Sequence, residues 1–220
     1  MTTTLIIGAN RGIGLELARQ LQARGERVIA ACRKPTPELE ALGIQVETGV
    51  EVTDSDSLDA LAARLGDVRI DVLIHNAGIL APVSLDDLDF DSIREQFEVN
   101  AMGPLRAVSA LRGHLGEGSK IALVTSRMGS ITDNDSGGSY GYRMSKTALN
   151  MAGSSLAIDL RGEGVAVILL HPGWVRTDMT QNTGLIDADE AARGMIARID
   201  ALTLEDSGSF WHQKGERLPW

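Results

Sequence analysis

With 220 residues, 43% hydrophobic and 23% charged, the chain carries enough apolar side chains for one sizeable core and too few charges to be a disordered polyelectrolyte. A formal net charge of −9 sets its field against polyanions and excludes nucleic acid as a partner; the acidity is read as solubility. The single cysteine, Cys32, forbids an intrachain disulfide and suits a reducing compartment, and no apolar run has the length of a membrane span or the form of a signal peptide, so a cytoplasmic protein with no membrane partner is expected.

Residues 4–7 read as a strand, and residues 13–24 as a helix stopped at Gly25. Strands follow at Arg27–Ala31 and at residues 44–47. Ser55–Leu65 reads as a helix with Asp54 as its N-cap, and residues 71–74 as a buried strand. Residues 91–114 form one or two helices, 120–125 a fifth strand, 142–160 a long helix and 165–170 a sixth strand. Ala188–Ala201 is helical, and Ser209–His212 is a short last strand. The fourth and sixth strands are continuously apolar, as strands covered on both faces must be. Strands alternating with helices predict an α/β fold of the Rossmann type: one domain over residues 1–220, with a doubly wound parallel sheet in three α/β/α layers.

The first strand runs into Gly8-Ala9-Asn10-Arg11-Gly12-Ile13-Gly14 just before a helix. Glycines let such a turn tighten and let backbone approach a pyrophosphate, while the helix N-terminus offers N–H groups and a positive dipole end. At the end of the second strand, Cys32 stands where an acidic residue would accept the adenosine ribose and repel a 2′-phosphate. Arg33 follows it and Arg11 lies in the turn, so NADP is predicted over NAD. No His, Cys, Asp or Glu cluster has metal-ligand spacing, so no metal is expected.

Farther along stand Asn76-Ala77-Gly78 after the fourth strand, then Asn100, then Ser126 after the fifth. Tyr142-Arg143-Met144-Ser145-Lys146 and Pro172-Gly173-Trp174-Val175-Arg176-Thr177 complete the series. Tyr142 and Lys146 are four apart, which places them on one face of a helix. A phenol can protonate a carbonyl oxygen, but its ordinary pKa of about 10 suits neutral pH poorly, and a nearby ammonium is expected to lower it. Tyr140 lacks this arrangement, because Met144 follows it by four.

In this order and at these elements, the residues resemble the short-chain dehydrogenase/reductase family across nearly the whole chain. The resemblance implies hydride transfer between NADP(H) and a small-molecule carbonyl or alcohol substrate. It implies Tyr142 as general acid/base, Ser126 as the group holding the substrate oxygen, and Lys146 also holding the nicotinamide ribose. Asn100 would steady the lysine through a water. The turn from Gly8 through Asn10, Arg11, Gly12 and Ile13 to Gly14, with Arg33, Val52, Asn76, Ala77 and Gly78, would take the rest of the cofactor, and Pro172, Gly173, Val175 and Thr177 its carboxamide end. It also implies a homo-dimer or homo-tetramer built on helices 91–114 and 142–160.

Three departures stand out. Glu51 replaces the usual aspartate before Val52, and Ile7 replaces a threonine before Gly8. The stretch between Ser126 and Tyr142 is long and polar and reads as a flexible loop at the pocket mouth. With Ser126-Arg127-Met128-Gly129-Ser130, it is similar to C-factor-type and sniffer-type carbonyl reductases. Residues 178–186 read as a short substrate lid with Gly184 as hinge. The C-factor likeness also carries an alternative, a dinucleotide-binding signalling or sensor protein; the intact Ser126, Tyr142, Lys146 and Asn100 favour the enzyme.

Overall fold

The computed structural model describes all 220 residues. Seven strands form one sheet: β1 Thr3–Ile7, β2 Arg27–Ala31, β3 Gln45–Glu47, β4 Val72–His75, β5 Lys120–Val124, β6 Ala166–His171 and β7 Ser209–His212. Their spatial order is β3-β2-β1-β4-β5-β6-β7, and every pair is parallel. Alternate residues serve opposite faces. Leu5, Ile29, Leu73, Leu123, Leu169 and Phe210 pack under α3 (Ser55–Leu65), α5 (Gly103–Leu111) and α6 (Tyr140–Asp159). Ile6, Ala30, Ile74, Ala122 and Leu170 pack under α1 (Gly12–Ala23) and α7 (Ala188–Ala201). Strand order reverses between β1 and β4, the point at whose carboxyl edge a doubly wound sheet receives its ligand.

The predicted elements recur within two residues, with two physical exceptions. A short helix, α2 at Pro37–Glu40, follows β2; Thr36 caps it and Pro37 starts it. The predicted 91–114 helix is broken into α4 (Phe90–Phe97), one π-helical turn at Glu98–Met102, α5 and a 3₁₀ turn at Arg112–His114. The π turn carries Asn100, whose fully buried amide is tied to the backbone of Ile79: Oδ1 accepts from Ile79 N at 2.8 Å and Nδ2 donates to Ile79 O at 2.9 Å. A widened turn inside a helix is a frequent mark of a functional position.

The C-terminal segment folds back over the loop that follows β5. Leu218 N donates to Phe210 O, the Trp220 ring stacks on Phe210 at 5.6 Å, and Trp220 O accepts from Thr132 N and Ser130 Oγ.

Candidate active site

The glycine turn is shaped by close approach. Gly8 has φ +86°, and a Cβ there would stand 2.6 Å from Ala77 N. A Cβ on Gly14 would stand 2.0 Å from Gly8 O and 2.7 Å from Asn76 Nδ2, the atom that donates to Gly8 O at 2.8 Å. Asn76 and Ala77 thus clamp the turn against β4. The N-termini of α3 and α4 are capped by Asp54 and Asp89, but no side chain caps α1. Arg11 precedes that helix in extended conformation, and the first-turn N–H groups of Gly12, Ile13 and Gly14 are left for an anion. A dinucleotide pyrophosphate fits this terminus.

Around it, Asn10 Nδ2 reaches Lys34 O at 3.4 Å, and Asn10 O accepts from Thr36 Oγ1. Arg33 stands 74% exposed, 3.7 Å from Glu51, so the glutamate that departs from the family pattern is a partner of the arginine predicted to read a phosphate. Arg11 pairs instead with Asp178 at 3.2 Å. Val52 is buried against Gly103. Beyond β6, Gly173 turns at φ +92° and Val175 is buried. Thr177 meets the glycine turn, its Cγ2 lying 3.3 Å from where a Gly12 Cβ would be. Gly184 is no hinge: a Cβ there would lie 2.1 Å from Arg176 N, and Arg176 N donates to Ile186 O while Leu185 N donates to Trp174 O. Close packing explains that glycine and pins the base of the lid.

The four chemical candidates meet at the carboxyl edge of β4 and β5. Lys146 is 4% exposed, donates from Nζ to Val124 O at 2.9 Å, and lies 5.8 Å from the centroid of the Tyr142 ring. The Ser126 side chain faces the Tyr142 phenol and accepts from Met128 N. Gly78 leaves room above the pair; a Cβ on it would stand 3.2 Å from Asn100 Oδ1 and 3.5 Å from Lys146 Nζ.

The electrostatics correct the expectation from spacing. Burial pushes the Tyr142 phenol up to about 12, opposed by the neighbouring Ser126 hydroxyl, and burial brings the Lys146 ammonium down to about 7. Withdrawal from water penalises both charged forms and is the largest influence on each group. The chain's own residues therefore set the pair toward neutral phenol and readily discharged amine. His75 lies fully buried at the end of β4 with Nε2 unpartnered; burial first, then the charge of Lys146, brings it down to about 3.

Sequence reasoning missed the groups that hold this arrangement. Ser145 Oγ accepts from Asn100 Nδ2 at 3.0 Å. Asn150 accepts from Thr125 Oγ1 at 2.7 Å and donates to Gly129 O, which also accepts from Thr147 Oγ1. Gly129 lies so near α6 that a Cβ would stand 2.7 Å from the carbonyl carbon of Lys146. The available signal was spacing: Asn150 follows Lys146 by four on the same helix face. At the opposite edge of the sheet, a cleft of about 470 Å³ is lined by Arg24, Glu26, Lys120 and Asp200, whose charged groups are satisfied by one another and by backbone.

A model of the short chain dehydrogenase family matches residues 2–186. The chain is 48% identical, over all of both chains, to the 1-hydroxy-2-glutathionyl-2-methyl-3-butene dehydrogenase of Rhodococcus sp. strain AD45. It is 47% identical to the C-signal of Myxococcus xanthus over 69% of this chain and 93% of that one. Among solved structures, it is similar to the NADPH-bound carbonyl reductase from chicken fatty liver, with TM-score 0.91, 31% identity, and 100% and 99% of the two chains covered. It is likewise similar to the carbonyl reductase Sniffer of D. melanogaster, with TM-score 0.92, 28% identity and both chains covered in full. The glycine turn, the grouping of Tyr142 with the buried Ser126 and Lys146, and the match along the chain converge: this protein belongs to the short-chain dehydrogenases, a family of oxidoreductases.

Proposed function

We propose that residues 1–220 act as one NADP-preferring oxidoreductase domain that interconverts a small-molecule carbonyl and its alcohol, with Tyr142 as general acid in reduction and general base in oxidation. The observation that carries this reading is the Tyr142 phenol, facing Ser126 and set beside the buried Lys146 at the carboxyl edge of the sheet. Ser126 and Tyr142 can both donate to one substrate oxygen, which fixes the carbonyl and delivers the proton. A bound dihydronicotinamide supplies the hydride. Lys146 holds the ribose and replenishes the phenol's proton, and Asn100, at the widened helical turn, steadies it. The turn from Gly8 to Gly14, the Asn76-Ala77-Gly78 segment and Val52 take the dinucleotide, and Pro172, Gly173, Val175 and Thr177 take its carboxamide end.

NADP preference is supported by Cys32 in the acidic slot, by the exposed Arg33, and by the NADPH bound in the chicken reductase. A homo-oligomer is supported by Met144, Met151 and Ile158, exposed at seven-residue spacing along α6, and by exposed Met102 and Leu105 near the start of α5. No helix is long and apolar enough to cross a membrane, and a cytoplasmic site of action is part of the proposal. The test is consumption of NADPH and of NADH by the purified protein against a panel of aldehydes, ketones and diketones. Turnover with NADPH well above that with NADH is expected; turnover with NADH alone would overturn the cofactor assignment. The C-signal relative keeps a signalling role as a second reading. Tight NADPH binding with no turnover of any panel member would favour it.

A further inference from the structure

Two histidines fall outside the proposed chemistry yet stand beside it. His171 ends β6 and His212 ends β7, and the sheet register sets them side by side. Both project on the face shared by Leu169 and Phe210, the face that α6 covers. Their rings meet edge to face, centroids 5.0 Å apart. Across from them lies Arg127, next in sequence to Ser126. It is held by Asp133 at 3.1 Å and by Glu216, on the turn just after His212, also at 3.1 Å. The ion pair with Glu216 thus fastens the His212 turn to the Ser126 loop.

The tautomer of His212 follows from its hydrogen bond. Lys214 N donates to His212 Nδ1 at 3.1 Å, so in the neutral ring the proton sits on Nε2. Burial, with the positive charge of Arg127, lowers the pKa of His212 and keeps that neutral form at physiological pH. No hydrogen bond within the chain engages Nε2, and the residue is half-buried. A Cβ placed on Gly173 would lie 3.8 Å from His212 Cε1 and 3.9 Å from Nε2, so this edge of the ring faces the Pro172–Gly173 turn at the proposed carboxamide end of the site. His171 backs the ring from the β6 side.

We propose that His212 is a specificity-determining residue whose Nε2–H donates to a second oxygen of the substrate, so that the pocket favours carbonyl compounds bearing another hydrogen-bond acceptor beside the reacting carbon over simple ketones. The inference rests on the carbonyl-reducing reading above. A donor aimed into a pocket discriminates against a ligand that leaves it unpaired, because the donor's lost hydration is then not replaced.

The test compares kcat/KM for butanedione and for butanone in the wild type, His212→Phe and His212→Gln. Taking the ratio between proteins cancels the intrinsic reactivity of the two ketones. His212→Phe is expected to lose about tenfold on butanedione and to stay within about twofold on butanone, with His212→Gln, which keeps a donor, recovering most of the loss. Equal losses on both substrates, or no loss on either, would overturn the proposal. A second readout needs no turnover: histidine nitrogen NMR of the NADP-loaded Tyr142→Phe protein. The Nε2–H tautomer of His212 and a resonance that moves with butanedione but not with butanone are expected; the Nδ1–H tautomer or equal responses would overturn it. Failure of the Tyr142 reading appears separately, as turnover surviving in Tyr142→Phe.

Discussion

Around β1, β2 and β4 the carboxyl edge of the sheet is made of backbone, with glycines at closest approach and an uncapped helix end. Around β5, β6 and α6 the same edge is made of buried polar side chains, with Ser126, Asn100, Lys146 and Asn150 each less than a tenth exposed. The first region suits an anion of fixed shape, because peptide N–H groups neither titrate nor rotate away. The second suits proton movement, because burial places a phenol and an amine where small changes of surroundings alter their charge. Binding and chemistry are thus assigned to different materials along one edge.

The sharpest way to break this division is to remove a titratable group from the second region. Lys146→Met should lower kcat/KM by about 10²–10⁴, measured by NADPH oxidation at saturating cofactor. Next come two glycines, one from each region. A Cβ on Gly14 or on Gly129 meets backbone at under 3 Å, so Gly14→Ala and Gly129→Ala should each destabilise the fold by about 1–3 kcal/mol in urea titrations. Gly14→Ala should chiefly weaken NADPH binding, whereas Gly129→Ala, pressing on Lys146, should chiefly lower kcat. The same defect from both would erase the distinction.

The buried histidines predict a smaller effect on acid stability. The folded pKa of His75 and of His171 is brought down to about 3 by burial, below the ordinary 6.5, so the unfolded chain binds more protons between these values. Stability should therefore fall as pH drops below 6.5, with each histidine accounting for about 2 kcal/mol at about pH 5. His75→Asn should flatten this acid limb when urea midpoints are compared at pH 7 and pH 5. The smallest effect belongs to the rim of the first region: Arg33→Ala should raise the KM for NADPH about tenfold and leave that for NADH unchanged.

The backbone region was largely legible in the sequence because its determinants are local. The apolar run of β1, the spacing from Gly8 to Gly14 and the Asn76-Ala77-Gly78 segment each carry their structural reason within a few residues. The side-chain region was legible in identity but not in state. Tyr142 and Lys146 were found by their spacing, yet the direction of their ionisation depends on burial by distant elements. The π turn at Asn100 escaped for the same reason, since it is fixed by the backbone of Ile79, twenty-one positions away. The pairing of His171 with His212 depends on strand register, and Gly184 is explained by the close approach of Val175 and Arg176, which composition alone does not reveal.

The central claim is that the Tyr142 phenol delivers the proton while the first region binds the cofactor independently of it. The most direct test is Tyr142→Phe, with NADPH affinity measured by fluorescence and carbonyl reduction measured in a single turnover. Affinity within about twofold of wild type and reduction slowed at least about a hundredfold are predicted. Reduction at the wild-type rate in that variant would contradict the claim.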